Sequence, residues 1–286
     1  MSASADLEFL LPDLRIVPVE ALRPHERHDP QRMAPLARRI GEQGVIRNPP
    51  VVAALSDVVD EVGFVVLDGA NRVAAARAAG WPHMVVQVVR YESPFVELRT
   101  WYHALGEIGH AQFESAAHGV PGLACRVEDP LHARALLARR EVLATVAFRD
   151  GAVLTFAGGA DLAARNNLLN AIVDAYHDRQ RFYRMSTDSL AVAAARYPEV
   201  TALVVFPHFE PAEVIELATR GETMPAGITR HLIRWRALRV NVPVEQLADR
   251  ARGIDQKNHW LEGWRQEKLA RREVRFYEEP TVLFDE

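Results

Sequence analysis

The stretch Asp68-Gly69-Ala70-Asn71-Arg72 constrains this chain more than any other. It follows the apolar run Gly63-Phe64-Val65-Val66-Leu67 and precedes an alanine-rich segment, residues 73–80. Strand, glycine turn and helix is the order this predicts. A strand that feeds a helix through a glycine brings an aspartate, an arginine and the first helical amides to one mouth, where phosphate can be held. Surface turns often carry Asp-Gly, so the turn alone decides little. It gains weight from Pro24-His25-Glu26 upstream and Thr229-Arg230-His231 far downstream. The chemistry this set suits is phosphoryl transfer.

At 286 residues the chain can bury one large core or two modest ones. Its 49% hydrophobic and 25% charged residues are ordinary for a soluble globular protein. A formal charge of −4 gives no general attraction to a polyanion, so nucleic-acid binding would need a local basic patch. Cys125 is the single cysteine, which excludes an internal disulfide and fits a free thiol in reducing cytoplasm. The first residues lack a basic segment followed by an apolar core of signal-peptide length. No apolar window reaches bilayer-spanning length. The expected location is the cytoplasm, with no membrane partner.

Residues 14–19 read as a strand. Asp29-Pro30 supplies an N-cap and first-turn proline for a helix to Gly44, with Met33, Leu36, Ala37 and Ile40 as its apolar stripe. Strands are expected at 50–55 and 64–67 around an acidic loop, then a helix over 71–79 and a strand at 84–89. Further on, 141–148 and 152–156 form a hairpin signal on Asp150-Gly151. A helix over 160–181, a strand at 201–206, a helix over 211–219 ending near Gly221, a strand at 238–242 and a helix over 243–252 follow. A polar helix over 255–272 carries Trp260 and Trp264 four residues apart, a spacing that docks one face on the body. These elements group as 1–91, 92–254 and a C-terminal helix and tail, 255–286.

Phosphoryl transfer needs a positioned hydroxyl and neutralised phosphate charge. Glu26 and Asp68 are the candidate carboxylates, one to accept the hydroxyl proton and the other to orient substrate or help hold magnesium. The competing reading makes Asp68 a turn cap and Glu26 a solvated residue. Arg72 offers a guanidinium fork to phosphate oxygens, and Gly69 lets backbone amides approach an anion. Thr229, Arg230 and His231 can converge on an anion if their backbone is not a regular strand; on a strand edge one of them faces solvent instead. His103, His110, His118 and His208 show no compact metal-ligand spacing, and Cys125 stands alone. The metal expected is magnesium carried on nucleotide phosphates, with Glu26 as its candidate contact.

Pro24-His25-Glu26, the helix through Ile40, and Gly44-Val45-Ile46-Arg47-Asn48-Pro49-Pro50-Val51-Val52 resemble the opening of the ParB/sulfiredoxin fold. The segment 66–72 falls where that superfamily keeps its nucleotide-phosphate motif. With Pro225-Ala226-Gly227-Ile228-Thr229-Arg230-His231 the likeness narrows to the free serine kinases, including the ParB-like enzymes that make O-phospho-L-serine in siderophore biosynthesis. It spans roughly residues 14–250. The resemblance implies an α+β protein, with a ParB/sulfiredoxin-like N-terminal domain holding nucleotide and a second mixed α/β lobe closing over the substrate. It implies phosphoryl transfer from ATP, or alternatively ADP, with Mg2+, to the hydroxyl of free L-serine.

The same resemblance implies roles for individual residues. Glu26 and Asp68 become the acid–base candidates. His25, Gly69, Ala70, Asn71 and Arg72 fall on the nucleotide side. Thr229, Arg230 and His231 fall on the serine side, where His208, just beyond the strand at 201–206, is a further candidate. The family style is Asp-Gly-His-His-Arg or Asp-Gly-Thr-His-Arg, whereas this chain has Ala70-Asn71 and so lacks the imidazole; Asn71 can still cap the helix or bond a phosphate. The alternative function is a ParB-like nucleotide-dependent DNA-binding regulator, opposed by the acidic balance and the lack of a basic recognition helix. A catalytically silent binder of nucleotide or amino acid is the third reading.

Overall fold

Valine-rich runs in the first ninety residues become the central strands of a sheet. The computed structural model describes residues 11–28, 30–55, 63–177 and 182–277. In chain order it begins with β1 (Asp13–Pro18), a 3-10 turn (Val19–Ala21), β2 (Leu22–Pro24), α1 (Pro30–Gln43), β3 (Val45–Ile46), β4 (Val51–Ala54), β5 (Phe64–Asp68), α2 (Ala70–Ala78) and β6 (His83–Val88). The sheet order is β1-β6-β4-β5-β2. In it β5 runs parallel to β2 and antiparallel to β4. Val52 and Val66 point into a core with Ile16, Ile40, Val73 and Ala76, under α1 and α2. Ala53, Val65 and Leu67 point the other way, into a core shared with the rest of the chain. Both faces are covered, which is why these strands read as unbroken apolar runs instead of alternating.

The chain continues through β7 (Val96–Thr100), β8 (Tyr102–Gly106), α3 (His110–His118), β9 (Ala124–Val127), α4 (Pro130–Ala138), β10 (Ala144–Phe148), β11 (Val153–Ala157), α5 (Leu162–Asp174), β12 (Phe182–Met185), α6 (Leu190–Arg196), β13 (Val200–Val205) and α7 (Pro211–Thr219). Six of these strands form an antiparallel sheet in the order β12-β8-β13-β10-β11-β9. The expected hairpin is present as β10–β11, with Gly151 at φ 89° in its turn. β14 (Thr229–Ile233) pairs with β7, apart from either large sheet.

The last stretch returns to the first sheet. β15 (Val242–Pro243) pairs with β3, α8 (Val244–Ala248) packs on β6, and α9 (Ile254–Ala270) packs on β1. Leu261 is buried there, with Trp260 and Trp264 half-buried at its side, so the tryptophan pair docks its helix as its spacing predicts. Edge strands expose unpaired backbone. Asn258 covers part of the β1 edge, accepting from the Ile16 amide at 2.8 Å and donating to the Ile16 carbonyl at 2.8 Å. Asn258→Ala removes both bonds and is expected to cost about 1–2 kcal/mol, read as a lower urea midpoint at unchanged slope.

Several expected elements differ from those observed. The helix expected over 160–181 ends at Asp174, and residues 178–181 lie outside the described residues. The strand expected at 238–242 is reduced to β15, because Arg239 and Asn241 take positive φ of 52° and 58°, which no strand accommodates. The helix expected over 243–252 is the five-residue α8, which ends where Asp249 leaves helical geometry at ψ 121°. The proposed Asp29 cap and most of the acidic loop, residues 56–62, lie outside the described residues. No helix among the described residues is long and apolar enough to cross a membrane.

Candidate active site

Strands β2 and β5 are parallel neighbours, with Pro24 opposite Val66, so both leave the sheet at the same edge. His25 and Glu26 follow one strand; Asp68 and Gly69 end the other. Ligands of open α/β sheets bind at such carboxyl-terminal edges. Sequence order thus delivers the two candidate carboxylates to one side of the molecule.

At the β5 exit Gly69 is left-handed, at φ 98°, and caps α2. A Cβ there would sit 3.0 Å from the Pro50 Cα and 2.9 Å from Arg72 Nη2, so only glycine keeps this cradle open. Arg72 Nη2 donates to Asp68 Oδ2 at 2.6 Å, and Arg236 Nη2 donates to the same oxygen. Burial pushes the Asp68 carboxyl up, but Arg72 and Arg236 outweigh it and hold it below the usual carboxylate value. Two guanidinium groups, one carboxylate and the positive end of α2 leave this turn net positive, a donor set suited to phosphate.

Glu26 is held from across the chain. Its Oε2 accepts from the Gly227 amide at 2.8 Å, while Oε1 accepts from the Thr229 amide at 2.7 Å and the Thr229 hydroxyl at 2.5 Å. Backbone pairing fixes the register, with Met224 N donating to the His25 carbonyl and Arg27 N to the Met224 carbonyl. His25 is 3% exposed, its Nδ1 lying 2.5 Å from the Val66 carbonyl and its Nε2 2.7 Å from the Thr229 hydroxyl. Glu26 is therefore an anchored group, not a solvated one. A cavity of about 500 Å³ opens beside it, lined by Arg23, Arg27, His28, Arg77 and Thr223 among others.

The Thr-Arg-His segment is a regular strand, the alternative in which its three side chains do not converge. Strand alternation separates them. Thr229 and His231 both face His25, whose ring meets the His231 ring edge-on at 5.0 Å. Arg230 instead lies over Trp101, 4.3 Å from the ring centroid. His231 Nε2 accepts from the Tyr91 hydroxyl at 2.7 Å, and burial, together with His25 nearby, keeps its ring well below the ordinary histidine value. His208 is exposed and, among the described residues, makes no hydrogen bond to Glu26, Asp68 or β14.

Four contributors escape a reading of the sequence. Arg236 shares Asp68; Tyr91 supports His231; Gly227 holds Glu26; and His103 supports Gly227, donating from Nε2 to its carbonyl at 3.0 Å. The Tyr176 hydroxyl, 2.8 Å from His103 Nδ1, fixes that tautomer, and burial pushes the His103 ring down to about 3. Gly227 is left-handed at φ 77°, and a Cβ there would overlap the Arg184 guanidinium. A glycine following Pro225 was the one visible signal. The rest depends on contacts between residues over seventy positions apart. Among the described residues no group of three or more His, Cys, Asp or Glu side chains could hold a metal ion.

The fold is an α+β arrangement, an N-terminal domain with an additional lobe, and it matches solved structures of free serine kinases. The candidate site lies where the end of β2 meets the 227–229 segment. Over 239 residues the chain is 23% identical to an ATP-dependent L-serine kinase of Staphylothermus marinus, covering 81% of this chain and 90% of that protein. Over 281 residues it is 24% identical to the ATP-dependent L-serine kinase SbnI of Staphylococcus aureus, covering 96% and 97%. A solved mutant of a free serine kinase in complex with AMP superposes with a TM-score of 0.71 at 18% identity, covering 83% of this chain and 94% of the other. A mutant complex with ADP superposes at 0.70 with 16% identity, covering 83% and 95%. No protein-family profile matches the chain.

Proposed function

We propose that this protein is a nucleotide-dependent kinase of free L-serine, producing O-phospho-L-serine, with ATP as the donor. The observation that carries the reading is the anchored Glu26, its carboxylate held by three donors from residues 227–229 at the edge that also carries the Asp68–Arg72 turn. Likeness along most of the chain to two ATP-dependent L-serine kinases supports it. Glu26 is the base, taking the hydrogen of the serine hydroxyl. Asp68 is poorly suited to that task, because Arg72 and Arg236 lower its affinity for a proton and make it a weak base. Its role is to aim those two guanidinium groups at phosphate oxygens. The N-terminus of α2 and Gly69 complete the phosphate cradle, with Ala70 and Asn71 in the first turn. The nucleotide, when bound, would supply the phosphoryl group and carry Mg2+ on its phosphates, Glu26 and Asp68 being the nearby carboxylates. His25 and His231 are buried supports of Glu26 and β14.

The deciding experiment is phosphorus NMR with L-serine and Mg2+, with ATP and ADP supplied separately. A phosphoserine resonance with ATP is the expected result; none with either donor removes the reading. Arg230 leaves β14 on the face opposite Thr229 and His231, over Trp101 and not buried, so its assignment to the carboxylate of serine rests on the family resemblance and is tested directly. Arg230→Lys keeps the charge and loses the fork. The expected outcome is a rise of about 10-fold in KM for serine, equal to a loss of about 1.4 kcal/mol, with nucleotide affinity unchanged by calorimetry.

A further inference from the structure

Gln87 is the polar residue in the otherwise apolar run Met84-Val85-Val86-Gln87-Val88 of β6, and it is only 2% exposed. A buried amide is costly unless both of its ends are bonded. Its Nε2 donates to the Trp235 carbonyl at 3.0 Å, and its Oε1 accepts from the Ala237 amide at 2.8 Å. A carbonyl on one side and an N–H on the other fix which way the amide is turned. These two partners flank Arg236, so one side chain grips the backbone before and after it. Residues 234–241 lie between β14 and β15, outside any strand, with positive φ of 51°, 52° and 58° at Trp235, Arg239 and Asn241. Backbone groups without a ladder must find partners among side chains. Gln87 and Asp68 also share one row of the first sheet, each paired with Val51 of the strand between them. Neighbouring strands are about 4.8 Å apart, which sets the two residues about 10 Å apart across the sheet. The Arg236 loop bridges that row, its backbone held by Gln87 and its guanidinium bonded to Asp68 Oδ2.

We propose that Gln87 is a positioning residue for the phosphate side of the site, fixing the backbone of Arg236 so that its guanidinium is presented to nucleotide phosphate. The proposal rests on the reading of Arg236 as a phosphate ligand. Asp68 holds the tip of that side chain and Gln87 holds its root, and fixing both leaves the fork a single position. Without the clamp at its root the loop would have to be ordered when nucleotide binds, and affinity would fall by that cost. With it the arginine is in place beforehand, which serves binding and the orientation of a transferring phosphoryl group alike. A second side chain holds the same loop further on, Asn48 Oδ1 accepting from the Arg239 amide at 2.8 Å. That bond does not bracket Arg236, so it supports the loop without aiming the guanidinium.

The test is a double-mutant cycle in the full-length protein, read as ATP affinity by calorimetry with Mg2+ and without serine. Gln87→Met keeps the length of the side chain and removes both bonds. It is expected to weaken ATP binding about 10-fold, and Arg236→Met about 10–100-fold. Because Gln87 acts through Arg236, adding Gln87→Met to Arg236→Met should change the affinity by less than about 2-fold. Asn48→Ala is the control for a loosened loop, with a lower urea midpoint but ATP affinity within about 2-fold of wild type. Gln87→Glu keeps the Ala237 bond and sets an oxygen against the Trp235 carbonyl; it takes the place of the methionine variant if that one does not fold. Wild-type ATP affinity in the Gln87 variant, effects of Gln87 and Arg236 that multiply, or an equal loss in Asn48→Ala would each overturn the clamp. The non-additive pattern in a protein that phosphorylates no serine would uphold the clamp and remove the kinase reading. A wild type without affinity for ATP overturns both.

Discussion

Glu26→Gln is expected to lower serine phosphorylation by about 10²–10⁴-fold, with nucleotide affinity nearly intact. Glutamine keeps the length of the side chain and cannot take a proton. It also places an amide NH2 where two backbone N–H groups and a hydroxyl converge, because Gly227 N donates to one oxygen and Thr229 N and Oγ1 to the other. Whichever way the amide is turned, one donor faces another. That mismatch adds a stability loss of about 1–3 kcal/mol, so turnover must be measured well below the midpoint of thermal unfolding. Single-turnover kinetics with saturating nucleotide isolate the chemical step. Full turnover at saturation would remove Glu26 from the chemistry and leave it a brace between the β2 exit and the 227–229 segment.

The parts of the site that could be read from the sequence are the local ones. An apolar run, a glycine and an alanine-rich run specify β5, the left-handed Gly69 and α2 within fifteen residues, and each element follows from the one before it. The Asp150-Gly151 hairpin and α7 between Pro211 and Gly221 are local in the same sense. Strand β7 was hidden because its partner β14 lies over a hundred residues away, and a five-residue strand in a two-stranded ribbon shows nothing until paired. The anchoring of Glu26 was hidden for that reason too: its donors stand 201 and 203 positions on. Thr229, Arg230 and His231 were visible as a set of polar groups. Their backbone state was not, and strand geometry divides them between two faces. Arg236 follows a tryptophan at φ 51°, and only that irregular turn brings it to Asp68.

Asp68→Asn is expected to lower turnover by about 10–100-fold through misdirected phosphate contacts rather than loss of a base. Each arginine bond to Asp68 is of the charge-assisted kind, worth about 1.5–3 kcal/mol when dry. About a third of the Asp68 side chain meets solvent, at 37% exposure, so screening brings the stability share down to about 1 kcal/mol for the pair of contacts. The melting temperature at neutral pH should then drop by about 2–4 °C. The sign of the pH dependence follows from the direction of the shift. Burial alone would raise the Asp68 carboxyl, but Arg72 and Arg236 hold it below the ordinary value, so its folded state binds protons less readily than its unfolded state. That stabilisation is complete above the unfolded value of about 3.9 and is lost as pH falls through the lower folded value. Wild type and Asp68→Asn should therefore differ in melting temperature at pH 7, begin to approach each other as pH falls below about 4 and meet only below the lower folded value. A gap that persists undiminished into acid would mean that the aspartate stabilises through shape and not charge. Phosphate recognition would then have to rest on Gly69 and the α2 amides without an oriented arginine pair.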